Sequence, residues 1–172
     1  MNTAHYSYTQ NASIALSVLM LGIMTGFFWT YSFNINQATS NLSGEHYTVV
    51  QSLLNVNVRH AMFFTFFFGT GLLGVVAVLV NISHRGSLTF WLLFASTASY
   101  IVGIIVLTKF VNLPLNAYTE SWDPQNLPND WELTRDSWNQ ANMMRVVFSF
   151  LAFTLSLFTL MLRAVSQEKQ AN

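Results

Sequence analysis

Two guanidiniums, two indoles and a carboxamide recur along Trp131, Arg135, Trp138, Asn142 and Arg145, in a stretch that runs directly into about twenty apolar residues. At about 100° per residue these five side chains fall within roughly 80° of one helix face. Polar groups in such a stripe at a membrane boundary are costly to keep unless they meet a partner or ligand. The chemistry on offer is recognition of a polar head by Arg135 and Arg145 while Trp131 and Trp138 cover an apolar body. Snorkelling of Arg145 and an aromatic belt are the competing reading, but a belt needs no common face.

A second group precedes the stripe in Lys109-Phe-Val-Asn112-Leu-Pro114-Leu-Asn116. Pro114 lacks a backbone donor and pushes Leu113 away from helical geometry, so a helix is expected to end or kink here. The freed carbonyls need donors, which Asn112, Asn116, Arg135 or Arg145 can supply. These groups either line a site or satisfy one another as a structural plug. Upstream, Gln51, Asn55 and Arg59 share a face at four-residue spacing, followed by His60. The titration range of His60 suits a general base, and a hydrogen-bonded structural role is the alternative.

The elements that must position these residues are membrane helices. Of 172 residues 52% are apolar, and only 7 are basic and 7 acidic, against about a quarter charged in soluble domains. Residues 13–33, 61–80, 88–110 and 143–162 are each long and apolar enough to cross a hydrocarbon core of about 30 Å. Spans in lipid must satisfy their own backbone, so they are helices. The expected fold is all-α: an integral membrane, antiparallel four-helix bundle forming one domain over residues 1–172. Its longer connections, 34–60 and 111–138, cap one side. Asn129 and Glu132 have capping-box spacing and start the fourth helix near Asp130, ahead of the bilayer. No cleaved signal peptide is expected, because the first twelve residues lack Lys and Arg and no Ala-x-Ala pattern follows the first apolar run.

Four spans put both termini on one side with the 81–87 turn. That side carries Arg85, Arg163 and Lys169 against Glu168, a net +2, and the opposite side is net −2. With Arg135 and Arg145 occupied in a site, Arg85, Arg163 and Lys169 read as cytoplasmic anchors, which places the termini in the cytoplasm and the site on the non-cytoplasmic side. Gly22, Gly26 and Thr30, and Thr70 with Gly74, are small residues at four-residue spacing that pack helices within the bundle or form a seam between two copies of the chain. The absence of cysteine excludes disulfides and thiolate metal sites. Haem takes paired axial ligands, whereas only His60 is well placed, and the several Glu and Glu-x-x-His repeat of a carboxylate-bridged metal pair are missing. Transport is disfavoured because no span carries a charge in its middle. Expected partners are the bilayer and a lipophilic small molecule, with no nucleic acid.

The combined pattern Asn112-x-Pro114-x-Asn116, Asp130-Trp131 and Arg135-x-x-Trp138-x-x-x-Asn142-x-x-Arg145 resembles a family of small four-helix membrane proteins that includes the anthrone oxygenases, much of it a domain of unknown function. The likeness is specific from Asn112 to Arg145 and looser over the first two spans. It implies oxidation of a phenolic tricyclic anthrone to an anthraquinone by molecular oxygen, with neither metal nor flavin as cofactor. It further implies that Arg135 and Arg145 stabilise phenolate or enolate oxygens, that Trp131 and Trp138 pack the rings, and that Asn112, Asn116 and Asn142 orient them. The competing functions are a non-catalytic membrane module binding a lipid, quinone or protein partner, and a small haem- or metal-binding membrane protein.

Overall fold

The computed structural model describes residues 6–171, with side chains placed to residue 168. Five helices carry the fold: α1 Tyr8–Thr39, α2 Gly44–Asn57, α3 Ala61–Val80, α4 Leu88–Glu120 and α5 Trp131–Ala171. All but α2 are long and apolar enough to span a membrane.

Local chemistry sets where these helices begin. Ser7 and Gln10 form a reciprocal capping box at the start of α1, with Gln10 N–H donating to Ser7 Oγ at 3.3 Å and Ser7 N–H to Gln10 Oε1 at 2.9 Å. His60 caps α3 and Ser87 caps α4. Each accepts one of the backbone donors that a helix start leaves free. At the start of α5 the Thr134 N–H closes on the Asp130 carbonyl.

Around the bundle α1 and α4 each contact both α3 and α5. The shared core contains Leu21, Met24, Phe28, Phe67, Tyr100, Ile104, Val146 and Ala152. Small residues set the close approaches: Gly22 lies against Phe153 and Gly74 against Thr97, so these positions pack within the bundle, while Gly26 has open space beside it. Tyr6, the last turns of α5 and the 81–87 turn meet at one end, where Gln167 donates to the Tyr6 carbonyl and Tyr6 lies against His84. The opposite end carries the cap.

Three expectations change. The first and third helices run well past the apolar segments, because a polar helix end keeps its hydrogen bonds after it leaves the bilayer, whereas the fourth begins at Trp131, ahead of its apolar segment as expected. The cap is therefore mostly helical, built from the end of α1, from α2, and from the end of α4 against which α2 packs. Pro114 does not end α4. Two π-helical stretches, Ile101–Val106 and Thr108–Asn112, precede it, and the Leu113 N–H reaches back five residues to the Thr108 carbonyl. Such widened turns absorb the missing donor and the steric demand of the proline ring, which opens a fresh α-helical segment as one of its first residues. Arg163, read as an interfacial anchor, is only 1% exposed. It lies 18 residues beyond Arg145, about five full turns, and so on the same inward face.

Gly103 faces Phe148 so closely that an added Cβ would overlap the Phe148 Cβ and Cγ atoms. Gly103→Ala is expected to destabilise the protein in detergent micelles by about 1–3 kcal/mol or more. Gly26→Ala is expected to be neutral or to stabilise by up to about 1 kcal/mol through helix propensity. Equal melting temperatures for the two variants would contradict this packing.

Candidate functional site

The α5 stripe enters the bundle beneath the cap. Trp138 is buried, and its indole Nε1–H donates to Asn116 Oδ1 at 2.6 Å. One turn deeper on each of the two helices lie Asn142 and Asn112. Asn142 is wholly buried and links two helices, donating from Nδ2 to Ser32 Oγ on α1 at 2.7 Å while its Oδ1 accepts from Arg145 Nη2 at 2.5 Å. The Arg145 guanidinium is 5.0 Å from the Phe28 ring centroid and 5.8 Å from that of Trp138. Tyr31 lies beside Trp138, with centroids 5.3 Å apart.

The orientation of Arg145 thus depends on a neutral amide and two aromatic rings. Among the described residues no carboxylate pairs with it, although an isolated buried charge costs several kcal/mol. Among the same residues its buried Nε finds no hydrogen-bond partner. Asn112 is 1% exposed, and neither its amide donor nor its carbonyl acceptor is bonded. The Thr108 hydroxyl, one turn deeper still, is also unpartnered. Buried polar groups are nearly always satisfied, so unmet donors and an unmet acceptor on α4 and α5 mark a place where something polar belongs.

The cap closes over this cluster through a chain of amides and hydroxyls. Gln51 donates to Asn55 at 3.1 Å, Asn55 to Thr119 Oγ1 at 3.3 Å, and Thr119 to the Asn116 carbonyl at 3.1 Å. Arg59 and Glu120 pair through the two terminal guanidinium nitrogens, Nη1 and Nη2, at the outer edge. Tyr47 is fully buried between Trp131 and Trp122, at 6.2 and 6.5 Å. Burial raises its hydroxyl above the usual tyrosine range, Tyr31 and Asp136 add to the effect, and Arg135 opposes it. That hydroxyl therefore stays protonated, and it too lacks a partner. Arg135 is partly buried, 5.2 Å from the Trp131 ring and paired with Asp136 at 3.1 Å.

The structure brings together Asn116, Trp138, Asn142 and Arg145, with Asn112 buried one turn from Asn116 on α4 and with Trp131 and Arg135 forming the rim. His60 stands apart: it is exposed, and its Nδ1 accepts the Phe63 N–H at 3.2 Å as the cap of α3. That bond occupies the lone pair a general base would use. Phe28, Tyr31, Ser32, Tyr47, Thr119 and Trp122 complete the surroundings and carried no clear sequence signal. Among the described residues no three His, Asp or Glu side chains gather as a metal site would require.

A match to the family described as anthrone oxygenase extends over residues 57–155, more than half of the chain. The chain belongs to the anthrone oxygenase family. The matched segment contains every site residue expected from the sequence, from His60 to Arg145, while the α1 and α2 contributions Phe28, Tyr31, Ser32 and Tyr47 precede it. No curated protein and no solved structure is similar enough to match the chain.

The amide between Ser32 and Arg145 should be the most sensitive link in this family member. Asn142→Leu leaves a buried guanidinium donor unmet and should cost about 2–3 kcal/mol. Adding Arg145→Leu removes the stranded charge, so the double variant should be no less stable than Asn142→Leu alone. Additive losses in a thermal-unfolding cycle would contradict the pairing.

Proposed function

We propose that the cap cluster binds a flat, lipophilic phenol of the anthrone type and oxidises it with molecular oxygen. The observation that carries this reading is the unmet Arg145 Nε, whose guanidinium lies between the rings of Phe28 and Trp138, with the unmet Asn112 amide buried on the neighbouring helix α4. Donors fixed in a low-dielectric surrounding stabilise a developing oxyanion far more than water-exposed ones do. A groove of about 620 Å³ between α4 and α5 passes Pro114, Leu115 and Ala141 on the outer side of these helices, and an apolar substrate would approach the cluster from there.

The chemistry balances with oxygen as the oxidant. The anthrone gives up a proton from its central methylene carbon to water, and Arg145 and Asn112 hold the resulting enolate oxygen. The electron-rich ring passes one electron to oxygen, and recombination forms a carbon–oxygen bond as a hydroperoxide. Loss of the second proton from that carbon, with cleavage of the oxygen–oxygen bond, leaves the new carbonyl and releases water. The substrate thus supplies four electrons, and one oxygen atom enters the product. The protein contributes orientation and electrostatic preorganisation. Trp131, Trp122 and Tyr47 wall off the solvent side. The cap faces the non-cytoplasmic side, a placement supported by Arg85 and Lys169 near the span ends at the terminal side.

Purified protein in an uncharged detergent should consume oxygen with an anthrone and yield the anthraquinone faster than the spontaneous reaction. A chelator should leave the rate unchanged. Arg145→Gln should lower kcat/KM by about a hundredfold, as removal of one oxyanion donor does elsewhere. Trp131→Ala should act mainly on KM. A rate no faster than the spontaneous reaction, or one insensitive to Arg145→Gln, would reject the oxygenase reading.

A further inference from the structure

The far end of α5 holds a second buried guanidinium that the oxygenase reading does not use. Arg163 Nη1 donates to Asn81 Oδ1 at 2.7 Å and lies 3.5 Å from Asn11 Oδ1. The Tyr6 ring covers its face, with the centroid 4.0 Å away. Among the described residues Nε and Nη2, both buried, find no hydrogen-bond partner and no carboxylate pairs with Arg163. These two nitrogens form one edge of the planar guanidinium, the fork that matches two oxygens of a phosphate or carboxylate. Tyr6 blocks the face of the group and leaves that in-plane edge as its binding direction.

A separate feature lies near it, on the Nη1 side. Between α1 and α5 runs a groove of about 510 Å³ lined by Ala12, Ala15, Leu16, Leu19 and Leu160, and Asn11, the neighbour of Arg163, forms part of its wall. Asn11 also donates to Gln167 at 3.2 Å. An apolar trough that ends at Asn11, next to a guanidinium with one edge unmet, suits an acyl chain joined to an anionic head whose linker passes Asn11. This end of the molecule also carries exposed Arg85 and the net positive charge.

We propose that Arg163 is the headgroup site for one anionic phospholipid, with the lipid phosphate bidentate on Nε and Nη2 and an acyl chain along the α1–α5 groove. The short stretch ahead of α1, tied down by Tyr6 Oη to Thr89 and by Gln167 to the Tyr6 carbonyl, shifts to admit the head. The site lies at the opposite end of the bundle from Arg145, so it stands or falls independently of the oxygenase chemistry.

The full chain, delipidated in an uncharged maltoside detergent, is titrated with phosphatidylglycerol, with diacylglycerol of the same chains, and with inorganic phosphate. Native mass spectrometry and melting temperature are read together. Phosphatidylglycerol should bind one molecule per chain and raise the melting temperature, and the other two should do neither at the same concentration. Arg163→Gln should weaken binding about tenfold or more, the worth of one charge-assisted fork. Ala15→Trp, which fills the groove and leaves Arg163 intact, should do the same and keeps the test valid if Arg163→Gln does not fold. Phosphatidylglycerol binding unchanged by Ala15→Trp, or unchanged by a folded Arg163→Gln, would overturn the proposal. So would inorganic phosphate or diacylglycerol reproducing the full effect.

Discussion

One face of one helix organises this protein. Along α5 the buried residues Trp138, Asn142, Arg145, Ser149, Ala152, Ser156, Thr159 and Arg163 alternate in steps of four and three, the spacing that keeps side chains on one seam. Lipid removes the hydrophobic drive that would press such a face inward in water, so helices there associate through close packing and hydrogen bonds. The seam supplies both. Thr25 on α1 donates to the Ser149 carbonyl at 3.1 Å, while Ser96 and Ser99 on α4 donate to the Ala152 and Phe148 carbonyls at 2.6 and 3.0 Å. Small or hydroxylated side chains let the neighbouring backbones come near enough for these bonds. The polar residues at the two ends of the seam are therefore carried inward by the packing of its middle.

That inheritance explains how two arginines are buried without an acid. Arg145 and Arg163 are each met by asparagine oxygens and aromatic faces, which orient a guanidinium without neutralising it. A carboxylate in place of Asn142 would satisfy the charge from within and leave less for a ligand to meet. Amides keep the positive potential and hold the donors in fixed directions. On the proposed readings, the stability surrendered by leaving Nε unmet would be recovered on binding an oxyanion, turning a folding cost into selectivity for the bound state.

The stripe from Trp131 to Arg145 was legible because its residues are chemically unusual for a membrane boundary and share a helical period. The four spans were legible from hydropathy, and α3 falls on residues 61–80 as expected. Phe28, Tyr31 and Ser32 were not legible as site neighbours, since in an apolar run nothing marks which aromatic or hydroxyl meets an arginine more than a hundred residues away. Tyr47 and Trp122 sat in stretches read as loops. Arg163 looked like an anchor because position near a span end was weighed without continuing the 4-3 spacing beyond Arg145. His60 lies at the right membrane level, but level alone does not separate a helix cap from a group that reaches the cluster.

The least legible feature is the winding of α4, and it decides where Asn112 points. Tyr100, Ile104, Thr108, Asn112 and Asn116 follow one another at intervals of four. On a regular α-helix each such step advances about 40°, so the series would travel nearly halfway round the helix. The π-helical turns over Ile101–Val106 and Thr108–Asn112 take more residues per turn and cancel most of that drift. Tyr100 and Ile104 in the core, and Asn112 beneath the cap, are accordingly all buried. Helix α1 repeats the device, with Phe28, Ser32 and Asn36 buried at intervals of four across the π turn Tyr31–Ile35. The α1 turn sets Ser32 against Asn142, the residue that holds Arg145, and the α4 turns keep Asn112 buried beneath the cap. Periodicity analysis assumes a constant turn, so it fails where the helices are unwound, and in this bundle they are unwound around the site.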